Sequence, residues 1–334
     1  MLVFAAGLAV TLAASEVLVR GLDRLGARLG LSEGLLGLLT ALGADAPEIS
    51  SALAALHAGN REVGLGVVLG SNIFNLAALL GLGAVLAGHV RVHRQGLLLD
   101  GGVAVLSTLV VAGLVAGLLA PVAAVALLAL LVLPYCVALG TSPRRLARLP
   151  FPGRTARLLA LAVSEVDHEV AEDPRVGGAG KPGVAPWGPA LLIPVALALI
   201  VGGSVALVSA ALALATAWHA PDALVGTVAL AALTSLPNAY AAARLARQGR
   251  GAAVVSETLN SNTINVLAGI ALPALIFGGV ASNGSAGLDL LWLLGLTIAV
   301  LALLARRRGL TRPAGAAVIA AYLLFVARIA ISHQ

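Results

Sequence analysis

Two carboxylates three positions apart, Asp45 and Glu48, flank a proline in the segment GADAPE, Gly43 to Glu48, halfway along an apolar run from about residue 33 to 57. That run is long enough to cross a bilayer at about 1.5 Å per helical residue. Pro47 withdraws an N–H and displaces a carbonyl, and the two acids carry charge that lipid cannot solvate. All three must therefore face protein or water. Freed carbonyl oxygens beside carboxylates, with no thiol or imidazole nearby, make a hard oxygen-donor environment suited to Na+, Ca2+, Mg2+ or H+.

A second segment, LTSLPN (Leu233 to Asn238), repeats the first, and each is followed by another polar element, GSNIFN at Gly70 to Asn75 and NSNTIN at Asn260 to Asn265. In both, the serine and the last asparagine are four apart and share a helix face. Four polar segments can thus meet at membrane mid-depth: Asp45 with Glu48, Ser71 with Asn75, Thr234 with Ser235 and Asn238, and Ser261 with Asn265. Small polar residues also hold membrane helices together by hydrogen bonding, but four clusters at related positions point to a site. Glu257, four before Ser261 and eight before Asn265, lies on their stripe and is a candidate proton or accessory site; snorkelling, or pairing with a loop arginine, is its structural alternative.

These segments need membrane helices to position them. With 60% hydrophobic residues, 11% charged residues and a mean hydropathy of +1.01, the chain is expected to be an all-α polytopic membrane protein. We read ten spans: 2–19, 33–57, 63–87, 96–117, 121–140, 187–210, 222–243, 252–277, 287–305 and 313–331. With both termini outside, 19 of the 21 basic residues fall in inner segments, leaving Arg61 and Arg328 outside. An internal repeat recurs at a fixed offset: Pro47 and Pro237, Gly59 and Gly249, Ser71 and Ser261, and Asn75 and Asn265 are each 190 apart. Five spans per copy is an odd number, so the second copy must sit upside down, giving two inverted five-helix repeats. Residues 1–141 form the first repeat, 142–186 a cytoplasmic linker and 187–334 the second.

The linker is basic, then acidic, then rich in glycine and proline. Glu165, His168, Glu169 and Glu172 would line one face of a short helix within 165–173, a pattern that reads as a solvated charged run or as a regulatory metal site. Glu16 is expected to pair with Arg20, Asp100 to sit at the membrane interface, and Gly66 with Gly70 to serve close helix packing. The single cysteine, Cys136, excludes an internal disulfide or a zinc knuckle. The basic residues fall in short clusters between spans, which argues against nucleic acid as a partner and for lipid and inorganic cations. The first span, with no basic residue before it, reads as retained.

GADAPE with GSNIFN, then TSLPN with NSNTIN, resembles the alpha repeats of the calcium/cation antiporter superfamily, the sodium/calcium exchangers and their relatives. The resemblance covers nearly the whole membrane domain. It implies a secondary active antiporter exchanging Ca2+ for Na+ or H+ by alternating access in the plasma membrane, with the exchanged cations as ligands and no cofactor. Na+/H+ exchange is the alternative, and an intramembrane enzyme using Asp45 and Glu48 as an acid/base pair a distant one that the repeat argues against. By position, Glu48 and Asn238 match the motif glutamates and Asp45 and Ser235 the motif serines. Thr234 matches a motif threonine, and Ser71, Asn75, Ser261 and Asn265 match the other polar positions of the ion site. The chain departs from the family pattern in carrying an amide at Asn238 and an acid at Asp45, so charge has moved toward the first copy.

Overall fold

The computed structural model describes residues 1–29, 33–92, 94–140, 191–278, 285–307 and 309–332. The linker, with the acidic segment 165–173, lies outside these residues. The described chain is helical apart from one short pair of strands. In order, it forms α1 (Leu2–Leu29), α2 (Glu33–Ala44), α3 (Ala46–His57), α4 (Arg61–Asn75), α5 (Leu82–Ala87), β1 (His89–Arg91), α6 (Arg94–Val115) and α7 (Pro121–Leu139). The second half gives α8 (Ile193–Trp218), α9 (Ala231–Thr234), α10 (Leu236–Arg247), α11 (Gly251–Val266), α12 (Leu272–Ile276), α13 (Ser285–Arg307), β2 (Gly309–Thr311) and α14 (Arg312–Ser332).

Among the described residues, eight helices are long and apolar enough to cross a membrane, and the bent pair formed by Leu224–Thr234 and Leu236–Arg247 makes up to nine. Burial separates them sharply. The continuous helix Arg61–Ala87 has 94% of its most apolar window inside the protein and Gly251–Ile276 has 72%, against 22–50% for the other six. The two helices carrying GSNIFN and NSNTIN are therefore the central pair. The others present leucines such as Leu130, Leu199 and Leu324 outward, where lipid solvates them at no cost.

The expected breaks are present but begin before the prolines. The α2–α3 junction falls at Asp45, because Pro47 takes a first-turn position of α3, where its missing N–H is tolerated. The second break falls at Ser235, with a bend of 43°. Gly59 and Gly249, 190 apart, both hold positive φ, 81° and 79°, in the turns that follow these broken segments. These two turns thus recur at the offset seen in the sequence.

Close approach of helices depends on the glycines of the central pair. A Cβ on Gly66 would lie 2.6 Å from Thr227 Oγ1, and one on Gly70 would lie 2.0 Å from Thr227 O, so α4 and the segment Leu224–Leu230 touch backbone to backbone. That segment is a wide, π-type turn, as are Leu76–Gly81 after α4 and Leu267–Ala271 after α11.

Two features depart from the sequence reading. α1 runs ten residues beyond the span read at 2–19, while on its exposed surface Glu16 pairs with Arg20 as expected, 2.8 Å apart. The all-α expectation also misses an antiparallel pair in which Val90 faces Leu310, both fully buried. Three-residue strands are too short to leave an alternating pattern in sequence.

Candidate functional site

Asp45 and Glu48 come from the start of α3, and both are fully buried. Facing them from the second half of the chain are residues of the second break and of α11. Ser235 donates to Glu48 Oε1 at 2.7 Å. The Asn238 amide lies between the two acids, donating to Asp45 Oδ1 at 2.7 Å and reaching Glu48 Oε1 at 3.3 Å. Ser261 donates to Asp45 Oδ1 at 2.7 Å and accepts from Asn75 Nδ2 at 3.1 Å. Six residues expected from the sequence, Asp45, Glu48, Asn75, Ser235, Asn238 and Ser261, therefore form one continuous network.

The network leaves acceptors over. Asp45 Oδ2, Glu48 Oε2, Asn75 Oδ1 and Asn238 Oδ1 are enclosed without a hydrogen-bond partner. Buried oxygens in this condition carry a free-energy cost of about 1–3 kcal/mol each unless something satisfies them. With the hydroxyls of Ser235 and Ser261, six oxygen donors converge from four polypeptide segments. Among the described residues, no three His, Cys, Asp or Glu side chains gather anywhere. The donor chemistry is that of hard cations, not of a thiolate or imidazole metal centre.

The remaining expected residues stand around this network. Ser71 is buried, and its hydroxyl donates to Ala231 O at 3.4 Å, beside the second break. Thr234 turns its hydroxyl back on its own helix, donating to Leu230 O at 2.8 Å. Asn265 donates to Asn72 Oδ1 at 3.1 Å, keeping its own Oδ1 unpartnered. Glu257 makes no hydrogen bond to the network; its Oε2 is enclosed and unpartnered, with Asp45 and Arg250 within electrostatic reach.

The sequence reading passed over Asn72 and Asn262. They exchange reciprocal bonds, Asn72 Nδ2 to Asn262 O at 3.1 Å and Asn262 Nδ2 to Asn72 O at 3.3 Å, clamping α4 to α11. The offset of 190 between them was the available signal. Asp100, expected at the interface, is instead buried, because α7 and α11 both pack over α6 there and Tyr135 covers its carboxylate at 2.8 Å.

The sequence matches the family described as sodium/calcium exchanger protein over residues 1–146 and 188–330, both sides of the linker. The chain belongs to the sodium/calcium exchanger protein family. A putative antiporter, CaxA, of Alkalimonas amylolytica is 40% identical over 85 residues, 25% of this chain and 27% of CaxA. Human sodium/potassium/calcium exchanger 4 is 33% identical over 115 residues, 32% of this chain and 18% of that exchanger. The matches thus span about a quarter or less of those proteins. Inner membrane protein YrbG of Escherichia coli is 31% identical over 281 residues, 82% of this chain and 78% of YrbG. The fold is that of the sodium-calcium exchanger NCX_Mj, with a TM-score of 0.60 at 18% identity, covering 97% of this chain and 96% of that one. A family member with eight or more apolar spans, the protein is integral to a membrane.

Proposed function

We propose that this protein is a secondary active cation antiporter that exchanges Ca2+ for Na+ or H+ by alternating access at the Asp45–Glu48 site. The observation that carries this reading is the meeting of two buried carboxylates with unpartnered oxygens of Asn75 and Asn238, drawn from both repeats. Two carboxylates balance one divalent charge, and Ca2+ takes six to eight oxygens. Ser71, Thr234 and Asn265 complete the set of cation-binding residues in this reading.

The hydrogen bonds suggest how a cation enters. Ser235, Ser261 and the Asn238 amide now direct hydrogens at carboxylate oxygens. A hydroxyl rotates freely and an amide can present its oxygen, so an arriving cation turns these three donors into three ligands without moving a helix. Exchange in place of leak follows from charge: with no cation aboard, two ionised carboxylates resist passing an apolar gate, and a bound cation removes that cost. Glu257 supplies accessory negative charge near the site.

In this reading the chain forms ten spans as two inverted five-helix repeats, residues 1–141 and 187–334, in the plasma membrane with both termini outside and the linker in the cytoplasm. Purified protein in vesicles, assayed with gradients of Na+, K+, Ca2+, Mg2+ and pH, tests the function and names the coupling ion. Absence of any cation-coupled flux rejects antiport. Cysteines placed at Lys181 or at 306–308 should resist an impermeant reagent applied outside; labelling of either overturns the orientation.

A further inference from the structure

The reciprocal bonds between Asn72 and Asn262 sit at the centre of a wider pattern in which Ser71, Asn72 and Asn75 each have an equivalent 190 residues on. The clamp itself is symmetric. Asn72 Nδ2 reaches Asn262 O at 3.1 Å and Asn262 Nδ2 reaches Asn72 O at 3.3 Å, so exchanging the two halves maps one bond onto the other. The arms beside it are not symmetric. Asn265 Nδ2 donates to Asn72 Oδ1 at 3.1 Å, yet Asn75, its equivalent, donates to Ser261 Oγ at 3.1 Å and leaves Asn262 Oδ1 enclosed without a partner. The serines divide in the same way, Ser261 bonding Asp45 at 2.7 Å and Ser71 bonding Ala231 O at 3.4 Å. Asn72, Asn75 and Asn265 are fully buried and Asn262 is 4% exposed, where an unmade bond is costly.

The amide orientations are fixed by the groups they meet. A backbone carbonyl only accepts, so Asn72 and Asn262 must each present Nδ2 to it and hold Oδ1 away from the clamp. Asn72 Oδ1 then needs a donor, which makes Asn265 present Nδ2. Ser261 has committed its hydrogen to Asp45 and therefore accepts from Asn75 Nδ2. Turning any of the four amides over breaks one of these bonds, so Asn262 Oδ1 stays unpartnered in this arrangement. The bias has a cause in the sequence: the first break carries Asp45, which draws the Ser261 hydroxyl, where the second carries Ser235. The exchanged arrangement, with Asn75 on Asn262 Oδ1 and Asn265 on Ser71 Oγ, uses the same groups and makes as many amide bonds.

We propose that Asn72 and Asn262 are positioning residues of the cation site, each holding out one amide oxygen for one facing of the protein. Asn75 and Asn265 exchange partners when the site turns from one side of the membrane to the other. In an inverted repeat, giving each half the conformation of the other reverses the side to which a central site opens. The clamp survives that reversal, because its two bonds map onto one another, while the arms must swap. The swap reaches the ions directly. With Asn75 on Asn262, Ser261 loses its amide donor and gains a free lone pair beside Asp45, so the site presents a different set of oxygens to each side.

The proposal rests on the antiport reading for its consequence in transport, but labelling tests it without transport. Asn72→Ala removes the oxygen that serves the observed facing and Asn262→Ala the one that serves the opposite facing, while each removes one clamp bond. The reporter is Thr234→Cys in a Cys136→Ser background, labelled by an impermeant reagent from either face of vesicles that carry the protein in one orientation. The ratio of the two labelling rates should shift about threefold or more in one direction in Asn72→Ala and about as far in the other in Asn262→Ala, the scale of one membrane hydrogen bond. The double variant should return close to the wild-type ratio. The ratio of half-saturating Ca2+ at the two faces should follow the labelling. Shifts in the same direction, or none, mean that the amides only hold α4 to α11, and they overturn the proposal. If an alanine variant does not fold, Asn72→Ser and Asn262→Ser, whose side chains fall short of the Oδ1 position, decide by the same criterion. Opposite labelling shifts with no cation flux in any variant or in the wild type would count against antiport and leave the positioning role standing.

Discussion

The two breaks in the membrane helices start from the same sequence punctuation and finish differently. At the first, Pro47 cannot donate to Gly43 O, four residues back, and Ser15 of α1 supplies the missing donor at 3.1 Å. At the second, the residue 189 positions after Ser15 is again a serine, Ser204, yet its hydroxyl is buried without a partner. The first break carries both acids, and the second carries an amide and a hydroxyl that donate to them. The two breaks share their punctuation and divide their chemistry, with acceptors at the first and donors at the second. The lesson is that internal symmetry in such a chain constrains where the polypeptide bends, while the charge at the bend is free to diverge.

The sharpest way to break this comparison is Glu48→Gln, which keeps size and removes the one acid at a motif glutamate position. We expect exchange to fall about 10- to 100-fold, since a lost charged contact is worth about 1.5–3 kcal/mol and every 1.4 kcal/mol is tenfold. Full exchange by the folded variant removes the site. Next comes charge relocation: Asp45→Ser should weaken divalent binding about tenfold or more, and adding Asn238→Glu should restore part of it, because Asn238 touches Asp45 directly. Binding titrations of the four members of that cycle check this, and strictly additive losses mean that the two halves do not compensate.

A smaller effect tests the breaks themselves. Ser15→Ala should lower thermal stability by about 0.6–1.7 kcal/mol, the range of membrane hydrogen bonds, whereas Ser204→Ala should be nearly silent. Equal losses in thermal unfolding would mean that the two serines do the same work. Smallest is Glu257→Gln. Its counterpart in the first repeat is Val67, so loss of an accessory charge should reduce apparent divalent affinity only a few-fold. An unchanged affinity makes Glu257 a structural partner of Arg250.

Much of this was legible in the sequence, for identifiable reasons. Prolines and carboxylates inside apolar runs are costly enough to announce the breaks, and the offset of 190 pairs them within the sequence itself. Six of the nine cation-site residues named from the sequence join one hydrogen-bonded network. The wide turns after Asn75 and Val266 were not legible, because Leu, Ala and Gly favour no turn width over another. Nor was the burial of Asp100: a carboxylate at the fifth residue of a span reads as interfacial until the neighbouring helices are known to cover it. Asn72 and Asn262 were overlooked because a serine and an asparagine four apart drew attention to one helix face, while the clamp between repeats uses another.

The wide turns also bear on timing. Each begins immediately after a site helix, Leu76 after Asn75 and Leu267 after Val266. A turn one residue too wide can pass its surplus to the next turn by exchanging a few backbone bonds, so a helix can screw by a fraction of a turn while its far end stays put. In the proposed transport cycle such a screw would replace the tilting of a whole span by local steps next to Asn75 and Asn265. Slow hydrogen exchange along α4 and α11, giving way to fast exchange at Leu76–Gly81 and Leu267–Ala271, would be the signature of such a screw.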